Sequence, residues 1–338
     1  MSTRAHSHGR RILPALLLGA IAAAAPGGAF AAHGYAHHHR SDAPQPPSIY
    51  NGMLAIEGTR GDDRIALRLQ AGAPNLLQVD YGDDGTAEFT VDRTGVTSIV
   101  LDALGGSDSI SVDESNGTLG STPLTLDGGP GDDRIAGGSG NETLIGGSGD
   151  DTIDGNRGAD TAYMGGGDDT FIWDPGDGSD VVEGQGGHDR MLFNGAPGAE
   201  QVDVSANGDR LRFFRNPANI TMDTHDVEQV DFVALGGADV VNVGDLRGTG
   251  VRELNVDLGA PDAQVDRVIL NATDRRDRVK VSGEAAAVEI KGLPATVNVL
   301  HPEATDSVEI DGIADRDRVE SRLPAGTVQL LVNGVATP

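Results

Sequence analysis

The sequence predicts an all-β protein: a parallel β-roll of nonapeptide repeats set within a longer, irregular β-solenoid. Three observations carry that expectation. A nine-residue unit recurs five times without interruption over residues 128–172, as GGPGDDRIA, GGSGNETLI, GGSGDDTID, GNRGADTAY and MGGGDDTFI. Beyond the first 31 residues no stretch has helical periodicity, whereas short apolar runs bounded by Gly, Asp and Asn recur to the end. The composition, with 49 glycines and 4% aromatics among 338 residues, does not suit a thick globular core. It suits coils that each bury a thin stack of Val, Ile and Leu.

The repeat template is G-G-x-G-x-D-x-U-x, with U apolar. In the first unit, Gly129 and Gly131 belong to a glycine turn that can reach positive φ and approach an ion with no Cβ in the way, and Asp133 supplies a hard carboxylate oxygen. Ca²⁺ takes roughly six to eight oxygens from carboxylates and backbone carbonyls, which such a turn offers. The same positions are Gly138, Gly140 and Glu142 in the second unit, and Gly147, Gly149 and Asp151 in the third. They are Gly158 and Asp160 in the fourth, and Gly165, Gly167 and Asp169 in the fifth. After a two-residue slip at Trp173-Asp174, PGDGSDVVE and GQGGHDRML add Gly178 with Asp180 and Gly187 with Asp189, bringing the count to seven units.

One nonad makes half a coil, so units two apart stack on the same edge. Asp133, Asp151 and Asp169, eighteen residues apart, should line one edge, and Glu142 and Asp160 the other. An ion between stacked turns would bridge Asp133 with Asp151, and Asp151 with Asp169. Ile135, Leu144, Ile153, Ala162 and Phe171 form the inward ladder, continued by Val182 and Met191. Glu142 has a longer arm than the template acid, Gly155-Asn156-Arg157 breaks the glycine pair and brings in a cation, and Met164 displaces a first glycine. The Glu142–Asp160 edge should therefore be the weaker one. A fixed period with an apolar residue two places after each acid argues against a disordered linker, which Gly/Asp composition alone would suggest.

On this nonapeptide the chain resembles bacterial RTX-like, hemolysin-type calcium-binding repeat proteins. FIWDPGDGSDVVEGQGGHDRMLFNGA (171–196), RLRFFRNPANITMD (210–223) and VEQVDFVALGGADVVNVGDLRGT (227–249) extend the resemblance to the body of the chain. The resemblance implies Ca²⁺ as cofactor, a β-roll within a β-solenoid, and an extracellular setting. It supplies neither a reaction nor a partner.

The remaining features bound the function. Asp plus Glu number 52 against 25 Lys plus Arg, a net charge of −27, which argues against nucleic acid and anionic membranes as partners. Such a chain repels itself without metal, so calcium is expected to drive folding of the roll. There is no cysteine, hence no disulfide, thiolate site or cysteine nucleophile. Residues 1–31 read as a signal peptide: Arg4, Arg10 and Arg11 precede an apolar run, and Ala29-Phe30-Ala31 fits a cleavage site. Secretion is the expectation, with the periplasm left open, and no segment of the mature chain reads as transmembrane. Residues 32–48 read as a His/Pro-rich disordered linker, 49–127 as an N-terminal β region, 128–192 as the roll, and 193–338 as a C-terminal solenoid region.

In the N-terminal region Gly82-Asp83-Asp84-Gly85 reads as a hairpin turn. Degenerate copies of the repeat turn occur at residues 58–65, 105–110, 236–241, 275–279 and 315–319, and are read as coils that are metal-free in most cases, with Asp63, Asp108 and Asp239, whose turns keep some glycine, as the candidates for calcium. In the last two copies, Arg takes the glycine place, and the Asp is expected to pair with it. No H-E-x-x-H or complete G-x-S-x-G occurs, and His188, His225 and His301 are isolated, so no enzyme is expected and no catalytic residue is assigned. Two alternatives stay open: a calcium-dependent adhesion or surface-layer module with a cell-surface or glycan partner, and a solenoid enzyme acting on polysaccharide.

Overall fold

The computed structural model describes residues 43–284, 286–324 and 326–337. The signal peptide, the His33–Arg40 cluster and residues 32–42 of the expected linker lie outside these residues. Among the described residues every regular element is a strand. The strands form two sheets, of fifteen and fourteen strands, and most neighbours within each sheet run parallel. Each coil gives one strand to each sheet.

In the repeat block the first sheet contains Leu124–Pro130, Glu142–Ser148, Thr161–Gly166 and Val181–Gly186, paired in that order. The second contains Arg134–Ala136, Thr152–Asp154, Thr170–Trp173 and Arg190–Asn194. Their registers match Ile135 to Ile153, Phe171 and Met191, and Leu126 to Leu144, Ala162 and Val182. All of these side chains are buried between the sheets. Alternation of inward and outward residues follows from the period of two along a strand. The nonad therefore fits one short strand plus one turn, and the expected stacking of units two apart is observed.

The coils continue beyond the repeats in both directions, with longer excursions. Among the described residues three antiparallel insertions interrupt the parallel order, and a short antiparallel pair lies at each end of the first sheet. Ala73–Tyr81 folds back on Arg64–Gln70 and pairs with Phe89–Asp92, so the Gly82–Gly85 segment is a hairpin loop as expected, though it extends to Glu88. Ala287–Lys291 bridges Arg278–Glu284 and Thr296–Leu300. The third insertion is a meander of Gln201–Asn207, Arg210–Asn216 and Ile220–His225. Its third strand, not its first, pairs with Val181–Gly186 of the roll. Behind it the core becomes aromatic: Trp173 stacks on Phe193 at 4.0 Å between centroids, and Phe193 meets Phe213 and Phe232.

The turn glycines hold the coils at close spacing. Gly149 has φ +124°, and a Cβ there would overlap the carbonyl oxygen of Gly131 in the coil before it. Gly149→Ala meets both obstacles, the φ and the overlap. It is expected to cost on the order of 3 kcal/mol in urea denaturation with saturating calcium, as a combined backbone and steric defect. A cost near zero would mean that the coils have slack at this edge.

Candidate metal centre

The turns stack into columns of carboxylates. On the first edge, the Asp133 N–H donates to Asp151 Oδ1 at 2.8 Å, Asp151 N–H to Asp169 Oδ1 at 2.7 Å, and Asp169 N–H to Asp189 Oδ1 at 3.0 Å. On the second edge, Glu142 N–H donates to Asp160 Oδ1 at 2.7 Å and Asp160 N–H to Asp180 Oδ1 at 2.9 Å. Each of these acids is buried. One oxygen of each aspartate thus ties coil to coil. The other oxygen, Oδ2 of Asp133, Asp151, Asp160, Asp169, Asp180 and Asp189, is buried with no hydrogen-bond partner. A buried ionised oxygen without a partner is costly, so six such atoms in two columns ask for a cation.

Burial and the neighbouring carboxylates push these groups up. Asp151 is raised to about 7 by desolvation first, then by Asp169 and Asp133, against the lowering effect of the Asp133 amide. Asp160 rises to about 8 and Asp189 to about 7 for the same main reason, and Asp180 to about 6. Asp133, Asp169 and Glu142 shift upward too, with burial the largest cause. A positive charge at the columns would reverse this direction.

The glycines fill two roles. Gly129, Gly131, Gly147, Gly149, Gly158, Gly165, Gly167 and Gly187 all have positive φ. Gly128, Gly138, Gly140 and Gly178 do not. They are there for room. A Cβ on Gly128 would run into the Asp133 carboxylate, one on Gly140 into that of Glu142, and one on Gly178 into the Gly158 carbonyl.

The two edges differ at Glu142 and Asn156. Glu142 folds its longer arm back, so that Oε2 accepts the Gly138 N–H at 3.0 Å and is no longer without a partner. Asn156 takes φ +60° in place of the missing glycine. The Gly178 carbonyl accepts the Trp173 indole N–H at 2.8 Å. The first edge instead carries a second acidic column. Asp132 Oδ1 accepts the Asp150 N–H at 2.9 Å, Asp150 Oδ1 the Asp168 N–H at 2.8 Å, and Asp168 Oδ1 the His188 N–H at 2.9 Å. Asp132, Asp150 and Asp168 were not among the expected site residues. Their signal was in the sequence, at eighteen-residue spacing, but in a position the template leaves free.

Ladders of the same kind run outside the nonads. Asp63 and Asp108 precede Asp133 on the first edge, and Glu228 follows Asp189. Glu200, Asp239, Asp266 and Asp306 form a further run. Glu200 is met by a built-in cation: the buried Arg215 donates Nε and Nη2 to its Oε1, and the guanidinium lies 5.3 Å from the Trp173 ring. Asp277 is held by the N–H and hydroxyl of Thr273 rather than by an arginine, against expectation, because its own turn brings those donors closer. At Asp317 the nearest arginine contact, Arg316 Nε, is long at 3.9 Å.

Among the described residues no three His, Asp or Glu side chains are placed to hold a metal ion by themselves. Each template carboxylate enters its column once per coil, alongside the turn carbonyls. The donor set is all oxygen, which suits a hard divalent cation.

Fold and columns together define a parallel β-roll with oxygen-lined turns. The chain matches the RTX calcium-binding nonapeptide repeat, in four copies, over residues 125–141, 137–171 and 176–195, so it carries RTX repeats, and these bind Ca²⁺. The gap at 172–175 contains the Trp173-Asp174 slip. No curated protein matches the chain.

Proposed function

We propose that this is an exported calcium-binding protein whose roll folds on binding Ca²⁺ between stacked turns. The observation that carries the reading is the set of six buried, partnerless Oδ2 atoms arranged coil above coil. Without metal, the columns must either take up protons or keep like charges buried side by side. With Ca²⁺ held by the template acids and the turn carbonyls, each carboxylate gains a counter-charge as the coil closes. Gly129, Gly131, Gly147, Gly149, Gly165, Gly167 and Gly187 would serve the first edge with Asp133, Asp151, Asp169 and Asp189. Gly138, Gly140, Gly158 and Gly178 would serve the second with Glu142, Asp160 and Asp180.

Sites with few carboxylates in a glycine turn point to weak affinity, on the order of 10⁻⁴–10⁻³ M, the range of extracellular modules. They would stay empty at cytosolic calcium and fill outside the cell, which fits the signal-peptide reading of residues 1–31. The role is binding rather than catalysis, since the residues at the turns are accounted for by ion coordination and coil stacking.

Circular dichroism during titration with CaCl₂, with MgCl₂ as control, tests the coupling. A gain of β signal with calcium alone is expected. Full β signal in chelator, unchanged by calcium, would overturn folding on binding and leave calcium accessory to a preformed solenoid.

A further inference from the structure

The ladder carboxylates fall into two groups. In one, the turn itself supplies a donor to the second oxygen: Asp63 Oδ2 accepts the Thr59 N–H, Asp277 Oδ2 the Thr273 N–H, Asp306 Oδ2 the Glu303 N–H, and Asp317 Oδ2 the Ala314 N–H. These turns are closed without metal. In the other group the second oxygen is buried and partnerless, and it contains the six template aspartates of the matched repeats. It also contains Asp108, Asp239 and Glu200, which lie outside the matched residues.

We propose that the turn at residues 103–108 is a further divalent-cation site, extending the calcium column by one turn beyond the matched repeats. The proposal rests on the reading that the nonad turns hold calcium. This turn continues the template-carboxylate column and two carbonyl columns of the first edge, while Ser107 Oγ replaces the second acid and accepts the Asp132 N–H at 3.3 Å. Asp108 is 3% exposed, its N–H donates to Asp133 Oδ1 at 2.7 Å, and its Oδ1 accepts the Asp63 N–H at 2.7 Å. The Gly106 carbonyl occupies the place where Gly131 would carry a Cβ, as the Gly131 carbonyl does for Gly149 and the Gly149 carbonyl for Gly167. The Leu104 carbonyl stands in the same relation to Gly129 as the Gly129 carbonyl does to Gly147. The coil contacts match too: Gly106 N–H donates to the Pro130 carbonyl just as Gly131 N–H donates to that of Ser148.

The backbone reproduces the nonad turn even where the residue types do not favour it. Leu104 sits at the second template position with φ +75°, beside φ +94° at Gly129. A leucine rarely adopts that conformation, and the surrounding contacts must over-determine it. The template signature misses this turn because Ala103 and Leu104 replace its first two glycines.

The turn of Asp239 shares the partnerless oxygen but not the setting. Its partner Glu200 already faces the Arg215 guanidinium, and the next coil offers residues 261–266, which contain no glycine. The proposal is therefore confined to Asp108.

The test compares the full chain with its Asp108→Asn and Asp63→Asn variants by calorimetric titration with CaCl₂. Asparagine keeps the accepting oxygen for the Asp63 amide and leaves the backbone contacts in place. Asp108→Asn is expected to bind one ion fewer at saturation than the parent, with an unchanged β signal in calcium. Asp63→Asn, whose second oxygen is already satisfied, is expected to bind as many as the parent. Equal ion counts for Asp108→Asn and the parent would overturn the site while leaving the nonads intact. A parent that binds no calcium would instead overturn the reading of the repeats. If Asp108→Asn does not fold in saturating calcium, crystals of the parent soaked in Tb³⁺ decide the matter. An anomalous peak beside Asp108 upholds the site, and peaks confined to the nonad turns overturn it.

Discussion

Asp151→Ala is expected to weaken calcium binding as much as any single replacement in the roll. Asp151 stands in the middle of the first-edge column, accepting the Asp133 N–H on one side and donating its own N–H to Asp169 on the other. If an ion lies between each pair of stacked turns, this carboxylate serves the ions on both sides. Alanine also leaves the buried Asp133 amide without its acceptor, a loss of ~1–3 kcal/mol in its own right. The calcium concentration at the folding midpoint should rise by at least about tenfold, the equivalent of ~1.4 kcal/mol, and the ion count should fall. Glu142→Ala is the natural comparison. One oxygen of Glu142 is already engaged with Gly138, so its removal should shift the midpoint less. Titration calorimetry separates the two. An Asp151→Ala protein with the parent's ion count would show that the stacked turns do not share their ions.

What the sequence discloses, and what it hides, follows from the range of the interactions. The nonad fixes a half-coil locally, so the two edges and the ladder from Ile135 to Met191 can be read from spacing. Asn207-Gly208 is a residue pair that favours a two-residue hairpin, and the turn falls there between Asn207 and Arg210. Nothing local says which strand of that meander continues the roll. That is decided by Val181–Gly186 accepting Ile220–His225 as its neighbour, a pairing across some forty residues (Val181 with Asp223). The consequence is large, because Arg215 on the middle strand is thereby carried to Glu200, where it stands as a fixed positive charge. Outside the roll the ladder steps lengthen from eighteen residues to 25 between Asp108 and Asp133 and 45 between Asp63 and Asp108. No periodicity survives at such spacing, and the ladder emerges only when the coils are stacked. Asp132, Asp150 and Asp168 were hidden for the opposite reason: they are perfectly periodic but occupy a place the template treats as free.

In chelator, the protein is expected to be more stable near pH 5 than near pH 8. The folded-state pKa of Asp151, Asp189 and Asp160 stands at about 7, 7 and 8, raised mainly by burial, whereas an unfolded aspartate titrates near 3.9. Between those limits the folded chain holds protons that the unfolded chain has released. Stability from these groups is therefore present at low pH and is lost as pH rises through about 7. Asp92, Asp113, Asp245, Asp262 and Asp317 are shifted downward by hydrogen bonds from nearby donors, and act in the opposite sense. Their contribution is lost only as pH falls below the ordinary carboxylate range, which places the optimum of the metal-free protein between the two windows. Calcium inverts the dependence on the alkaline side, because it needs the ionised columns and must displace their protons. Affinity should thus rise from about pH 6 to about pH 8, with proton release visible as a dependence of the binding heat on the ionisation enthalpy of the buffer. Urea unfolding in EDTA at both pH values checks the first half. Greater stability at pH 8 than at pH 5 would mean that the buried columns keep their charge without metal, and the coupling of ion binding to coil closure would lose its physical basis.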